Sequence, residues 1–153
     1  MSRTLALASL ALAGVAAAAP SKPMPPTQAV KSLSQAGLKW ETDPESKVSI
    51  AVVTGNPKTG AYEAFLKFPS GMSIPLHWHS FSNTGVGVSG KLVIDAQGQG
   101  KIEMGPGDWG FIPARVKHTT ACTVGADCVI YARQPGKDDI HFDGPGGKDP
   151  PRK

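Results

Sequence analysis

The chain has 153 residues, 40% of them hydrophobic and 18% charged, which is enough apolar material for one core and too little charge for wholesale disorder. Its formal charge of +4 is spread over scattered lysines and arginines, and the one local concentration, in residues 148–153, also holds Asp149 and two prolines. That distribution argues against nucleic acid as a partner, because phosphate binding needs clustered cations on one face. Eighteen glycines and fourteen prolines argue against long helices and favour an all-β domain.

At the start of the chain, Arg3, an apolar run over residues 5–15 and the small residues Ala16, Ala17, Ala18 and Ala19 read as a signal peptide, residues 1–18. The run is too short to cross a bilayer, and no later segment is long enough to be a membrane anchor. The mature chain is therefore expected to be periplasmic or secreted. Residues 19–47 read as an N-terminal arm. Within it, four prolines in residues 20–28 predict an extended linker, and residues 29–38 predict one helical turn or two with Val30, Leu33 and Leu38 as apolar contacts.

From residue 48 the pattern changes to short apolar runs punctuated by glycine, proline and asparagine. Residues 61–68 alternate, with Tyr62, Ala64, Leu66 and Phe68 on one face and Glu63 and Lys67 on the other, the period of a half-buried strand. Further runs cover 48–53, 72–79, 84–88, 91–95, 101–104, 108–113, 118–123 and 128–133, and together they predict a sandwich or barrel over residues 48–134. Residues 135–153 lack apolar runs and read as a C-terminal segment whose end, 144–153, is expected to be disordered.

Export gives Cys122 and Cys128 an oxidising compartment in which to pair as a hairpin staple, a local clip contributing roughly 2 kcal/mol. Two reduced buried cysteines, or Cys122 as a metal ligand, are the alternatives.

Only four histidines occur, and three fall in specific surroundings. His77-Trp78-His79 lies in a predicted strand, where residues two apart share a face, so both imidazoles point one way and Trp78 the other. His118 begins another predicted strand, which an antiparallel barrel can bring beside the first. The competing reading is three packed barrel histidines with no ion. His141 sits among Asp138, Asp139 and Asp143 and reads as a solvated loop residue, unless the C-terminal segment folds over the barrel mouth and makes it a proton carrier.

Gly71, five residues, His77-x-His79, three residues, Asn83, six residues and Gly90 resemble the first cupin motif. Gly107-Asp108, four residues, Pro113, four residues and His118 resemble the second. The resemblance covers residues 48–134 and implies a single double-stranded β-helix, or jelly-roll, barrel holding a metal through His77, His79 and His118. More narrowly, Leu38-Lys39-Trp40, Lys67-Phe68-Pro69 and His77-Trp78-His79-Ser80 are similar to small single-domain bacterial cupins of the ChrR-like kind. One departure is Asn83, which stands where the family usually has a glutamate and would be a weak ligand or an outer neighbour of the ion.

Three neutral imidazoles would leave a divalent ion its full charge and an open position, favouring a small anionic ligand; iron, zinc, copper and nickel suit such donors better than manganese or magnesium. The resemblance thus implies a metal-dependent dioxygenase, or an isomerase or lyase. The alternatives are a non-catalytic module binding a small anion or the metal itself, and a regulatory partner-binding cupin. Tyr131, Arg133 and His141 are candidate substrate or proton contacts. A homodimer is expected because it would cover exposed strand edges.

Overall fold

The computed structural model describes residues 31–142. The signal peptide expected over 1–18, the linker expected over 20–28 and the terminal residues 144–153 lie outside the described residues. The chain divides into two units, Met1–Ser32 and Leu33–Lys153, and every strand described belongs to the second.

Eleven strands run among the described residues: β1 (Glu41–Thr42), β2 (Ser49–Gly55), β3 (Tyr62–Phe68), β4 (Ser73–Trp78), β5 (Asn83–Ser89), β6 (Leu92–Ala96), β7 (Gly100–Met104), β8 (Trp109–Ile112), β9 (His118–Cys122), β10 (Cys128–Gln134) and β11 (His141–Phe142). They form one sheet in the order β1-β2-β3-β10-β5-β8 and a second in the order β11-β4-β9-β6-β7. Every pairing is antiparallel. This is the all-β jelly-roll barrel that the sequence predicts.

Period-2 alternation explains why these segments are strands. In β3, Tyr62, Ala64 and Phe68 are buried while Glu63, Phe65 and Lys67 are less so, and in β6 Leu92 and Ile94 are buried with Val93 between them. Phe68 and Cys128 from one sheet meet Leu92, Ile94, Met104 and Cys122 from the other, so the apolar core lies between the two sheets. In place of the helical turns expected over 29–38, the described part holds a single 3-10 turn, Gln35–Gly37, closed by the Gly37 N–H on the Ser34 carbonyl.

Two glycines of the sequence motifs are required by backbone shape. Gly90 has φ +67°, and a side chain there would meet the Asp127 carbonyl oxygen at 2.7 Å. Gly107 has φ +88° in the turn before β8, where the Asp108 carboxylate accepts from the Gly105 N–H at 2.8 Å. Both φ values lie where L side chains are strained.

Cys122 and Cys128 are disulfide-bonded, with their Cα atoms 5.7 Å apart. The bond is a corner brace and no hairpin staple: β9 and β10 belong to different sheets, so it ties one sheet to the other at the core. Replacing both cysteines with alanine is expected to remove about 2 kcal/mol of loop-closure stabilisation. Urea unfolding should show a lower midpoint with the fold retained, and an unchanged midpoint would mean that the brace carries no stability.

Candidate metal centre

The site begins with a register shift. Ser73 and Ile74 of β4 pair with Ala121 and Thr120 of β9, and continuing that register would set Leu76 opposite His118. The pairing instead slips by one residue after Ile74, and His77 becomes the partner of His118. Pro75 sits at the irregularity, where a residue without an N–H is tolerated because no ladder bond is asked of it. The slip brings His77 onto the inward face that Ile74 occupies earlier in the strand, beside His118, which shares its face with the core residue Cys122.

His79 lies just beyond the end of β4, yet its ring joins the other two. The available ring nitrogens of His77, His79 and His118 all lie within 4.8 Å of one another, close enough for one ion to engage all three. Ring centroids are 4.2 Å apart for His77 and His118, 5.1 Å for His77 and His79, and 5.5 Å for His79 and His118.

Each ring has its Nδ1 occupied by a main-chain carbonyl. His77 Nδ1 donates to the Pro75 oxygen at 2.8 Å, His118 Nδ1 to the Val116 oxygen at 2.9 Å, and His79 Nδ1 to the Asp139 oxygen. These bonds fix the tautomer that leaves Nε2 as a lone-pair donor, the arrangement that metal-binding histidines need. Burial pushes the His77 imidazole down to about 4, and the neighbouring His118 and His79 rings add to the fall. Burial likewise lowers His118. His77 and His118 are therefore neutral at pH 7, and three imidazoles form a donor set that fits a transition ion.

The other predicted residues are spread more widely. Asn83 opens β5 opposite Ile112 of β8, and the three-ring cluster forms without it. Tyr131 and Arg133 are not brought to the cluster. They alternate with Ile130 and Ala132, which face the core, and both meet Glu63 on the outer face: the Tyr131 hydroxyl donates to it at 2.8 Å and Arg133 Nε lies 3.6 Å away.

His141 is no loop residue. It lies in β11 opposite Trp78, and the two rings stack at 4.0 Å on the face turned away from His77. Its Nε2 is 3.1 Å from the Ser80 hydroxyl and 3.4 Å from the Asp139 carboxylate. Both contacts use the same ring nitrogen, so these residues are no serine-histidine-aspartate relay, which needs opposite nitrogens. Burial raises the Asp139 carboxyl, but hydrogen bonds from Ser80 and His141 outweigh it and hold the group below its usual range.

Two residues that sequence reasoning missed matter here. Phe142 pairs with His77 across β11 and β4, with ring centroids 6.0 Å apart, and Asp139 carries the carbonyl that holds His79. The only signal was the short run Ile140-His141-Phe142, flanked by acidic residues that read as loop. An open hollow of about 610 Å³ lies elsewhere, at the β7–β8 edge against Ile102, Glu103, Trp109 and Phe111, and none of the three histidines lines it.

Residues 64–132, which include all three histidines, match the family model of the cupin domain. The barrel is a cupin domain. Among solved structures this cupin is similar to the polyketide cyclase RemF from Streptomyces resistomycificus, at 20% identity and TM-score 0.59, over 70% of this chain and 80% of that one. It is similar also to the DMSP lyase DddQ from Ruegeria pomeroyi, at 18% identity and TM-score 0.58, over 74% of this chain and 64% of that one. A chain of the Rhodobacter sphaeroides complex of SigE with the anti-sigma ChrR matches at 21% identity and TM-score 0.53, over 66% of this chain and 51% of that one. At such identities the likeness is one of fold. No curated protein matches the chain by sequence.

His118→Ala is expected to weaken zinc or cobalt(II) binding by more than the roughly 10–100-fold that changes outside the ligands cost. Metal at about 100 times its Kd should stabilise the wild type by about 2.7 kcal/mol against unfolding and leave His118→Ala unmoved. Equal stabilisation of both proteins would remove His118 from the site.

Proposed function

We propose that this cupin is a metal-dependent small-molecule enzyme, with iron or copper held by His77, His79 and His118 and a dioxygenase-type reaction on a small anionic substrate. The observation that carries this reading is the cluster of three imidazoles with Nδ1 tied back and no carboxylate among them. An ion held by three neutral donors would supply a full positive charge and open positions for substrate and oxygen. His77 and His118, buried and neutral at pH 7, would bind it without first losing a proton. Phe142, set against His77, gives that side of the site an apolar wall.

The reading includes export to the periplasm or the medium. The N-terminal pattern around Arg3 and Ala18 supports it, as does the Cys122–Cys128 bond, a pairing that persists in oxidising compartments. The test of function is anaerobic loading with iron(II), followed by oxygen uptake against a panel of small thiols, diketones and phenols. Turnover that disappears in His118→Ala is the expected result. Tight anion binding without turnover would replace the enzyme with a binding module, and chelator-insensitive capture of a defined protein partner would replace it with a regulatory cupin.

We also propose that the protein forms a two-fold dimer through the outer face of β5 and β8. Trp109 is 66% exposed and Phe111 47%, and Val86, which pairs with Trp109, and Val88 extend the same apolar face. In a two-fold contact, residues near the axis meet their own copies, so a charge there would meet its like; Thr84, Val86, Val88, Trp109 and Phe111 carry none. Sedimentation should show a dimer for the wild type and a folded monomer for Trp109→Arg with Phe111→Arg. A wild-type monomer at micromolar concentration would end this proposal.

A further inference from the structure

The three histidines are not held alike. His77 and His118 each bond a carbonyl two residues back in their own chain segment, so their orientation comes with β4 and with the approach to β9. His79 lies past the end of its strand, is less buried than the other two, and bonds a carbonyl 60 residues further on. We infer that Asp139 is a positioning residue for the metal centre, its main-chain oxygen setting the His79 ring and so making the third metal bond depend on the docking of residues 135–142. The inference rests on the metal reading above and adds to it the element that completes the site.

Asp139 grips two consecutive residues. Its carbonyl takes the His79 ring, and its side chain, 4% exposed as a residue, accepts from the Ser80 N–H at 2.9 Å. The strap that carries it is fastened at points clear of the three rings. Gly136 lies flat on Phe81, where an added Cβ would come within 2.4 Å of ring carbons. The Asp138 N–H donates to the Pro57 oxygen at 2.7 Å, and the Tyr62 hydroxyl lies 3.2 Å from the Gln134 side-chain oxygen and 3.1 Å from the Asp138 carboxylate. The Gln134 amide in turn donates to the Lys137 carbonyl at 2.9 Å. Beyond Asp139, β11 pairs with β4 itself.

Two ligands are thus preset by local bonds, and the third is set from outside. When the strap is loosened, His79 loses the bond that fixes its tautomer and direction, while His77 and His118 keep theirs. By reciprocity, an ion bound to all three rings tightens the strap by the same factor.

The test uses the full chain and four variants: Asp139→Ala, Asp139→Asn, Gly136→Val and His79→Ala. Cobalt(II) or zinc affinity should fall about 10–100-fold in Asp139→Ala and Gly136→Val, the range for partners that orient a ligand. Asp139→Asn, which retains an acceptor for Ser80, should stay near wild type. Adding His79→Ala to either weakened variant should cost little more than His79→Ala alone, whereas additive losses would overturn the inference. A second readout needs no metal. Ring ¹⁵N shifts at neutral pH should report an Nδ1-protonated His79 in the wild type and a tautomer mixture in Asp139→Ala, with His77 and His118 unchanged. If His79 is unchanged there and in Gly136→Val as well, its setting does not depend on the docking of the strap, and the inference falls. A wild type that binds no ion while passing this second test would sink the metal reading and leave the positioning intact.

Discussion

The centre depends on the register of β4 against β9. Because side chains in a strand alternate, a one-residue slip exchanges the inward and outward sets, and the ring cluster exists only in one phase of that alternation. The early part of β4 is in the wrong phase: Ile74 faces in, and the same step would next present Leu76 to His118. The irregularity at Pro75 and Leu76 corrects it. Proline at that position cannot donate to a ladder bond, and its carbonyl is then free to hold His77 Nδ1, so one residue both breaks the pairing and orients the ligand it admits.

Around that register the molecule is built asymmetrically. On one side of the second sheet, β11 pairs with β4 and covers His77 with Phe142, while the strap preceding it reaches His79 through Asp139. In the first sheet, β8 is an edge strand and leaves Trp109 and Phe111 in solvent. The sealed edge adjoins the three imidazoles, and the exposed aromatic face lies at the other sheet's margin. The imidazole cluster and the apolar face proposed for association therefore belong to different sheets of one small barrel, and a change in one need not disturb the other.

Much of this was legible in the chain. All nine predicted strands occur, because period-2 alternation and glycine-marked turns are local signals, and the cupin spacing located the three rings that meet. What could not be read was what distant pairing sets outside the two cupin motifs. Residues Asp138, Asp139 and Asp143 make 138–143 look like an acidic loop, yet backbone pairing of His141 and Phe142 with Trp78 and His77 makes part of it a strand. Tyr131 and Arg133 were candidate substrate or proton contacts, but alternation with Ile130 and Ala132 sends them to the outer face, where both meet Glu63. Cys122 and Cys128 looked like the two ends of a hairpin because the loop between them is short, and only the sheet order reveals that the chain changes sheets there.

β9 shows how one strand serves both stability and the site. Its inward positions are His118, Thr120 and Cys122, a grade from ligand through hydroxyl to a core sulfur over about 13 Å at strand rise. At the Cys122 end, the disulfide and the side chains of Phe68, Leu92, Ile94 and Met104 close the barrel with apolar contacts that owe nothing to an ion. At the His118 end, the same strand holds a neutral imidazole whose Nδ1 is already satisfied by its own chain. The core therefore sets the frame without an ion, and two of the three imidazoles are preset with it. The third comes from a residue past the end of a strand, its ring bonded to a carbonyl of the segment just before β11. Removing an imidazole leaves the frame standing, whereas slipping the register of β4 by one residue would leave a folded barrel with leucine where the ligand should be.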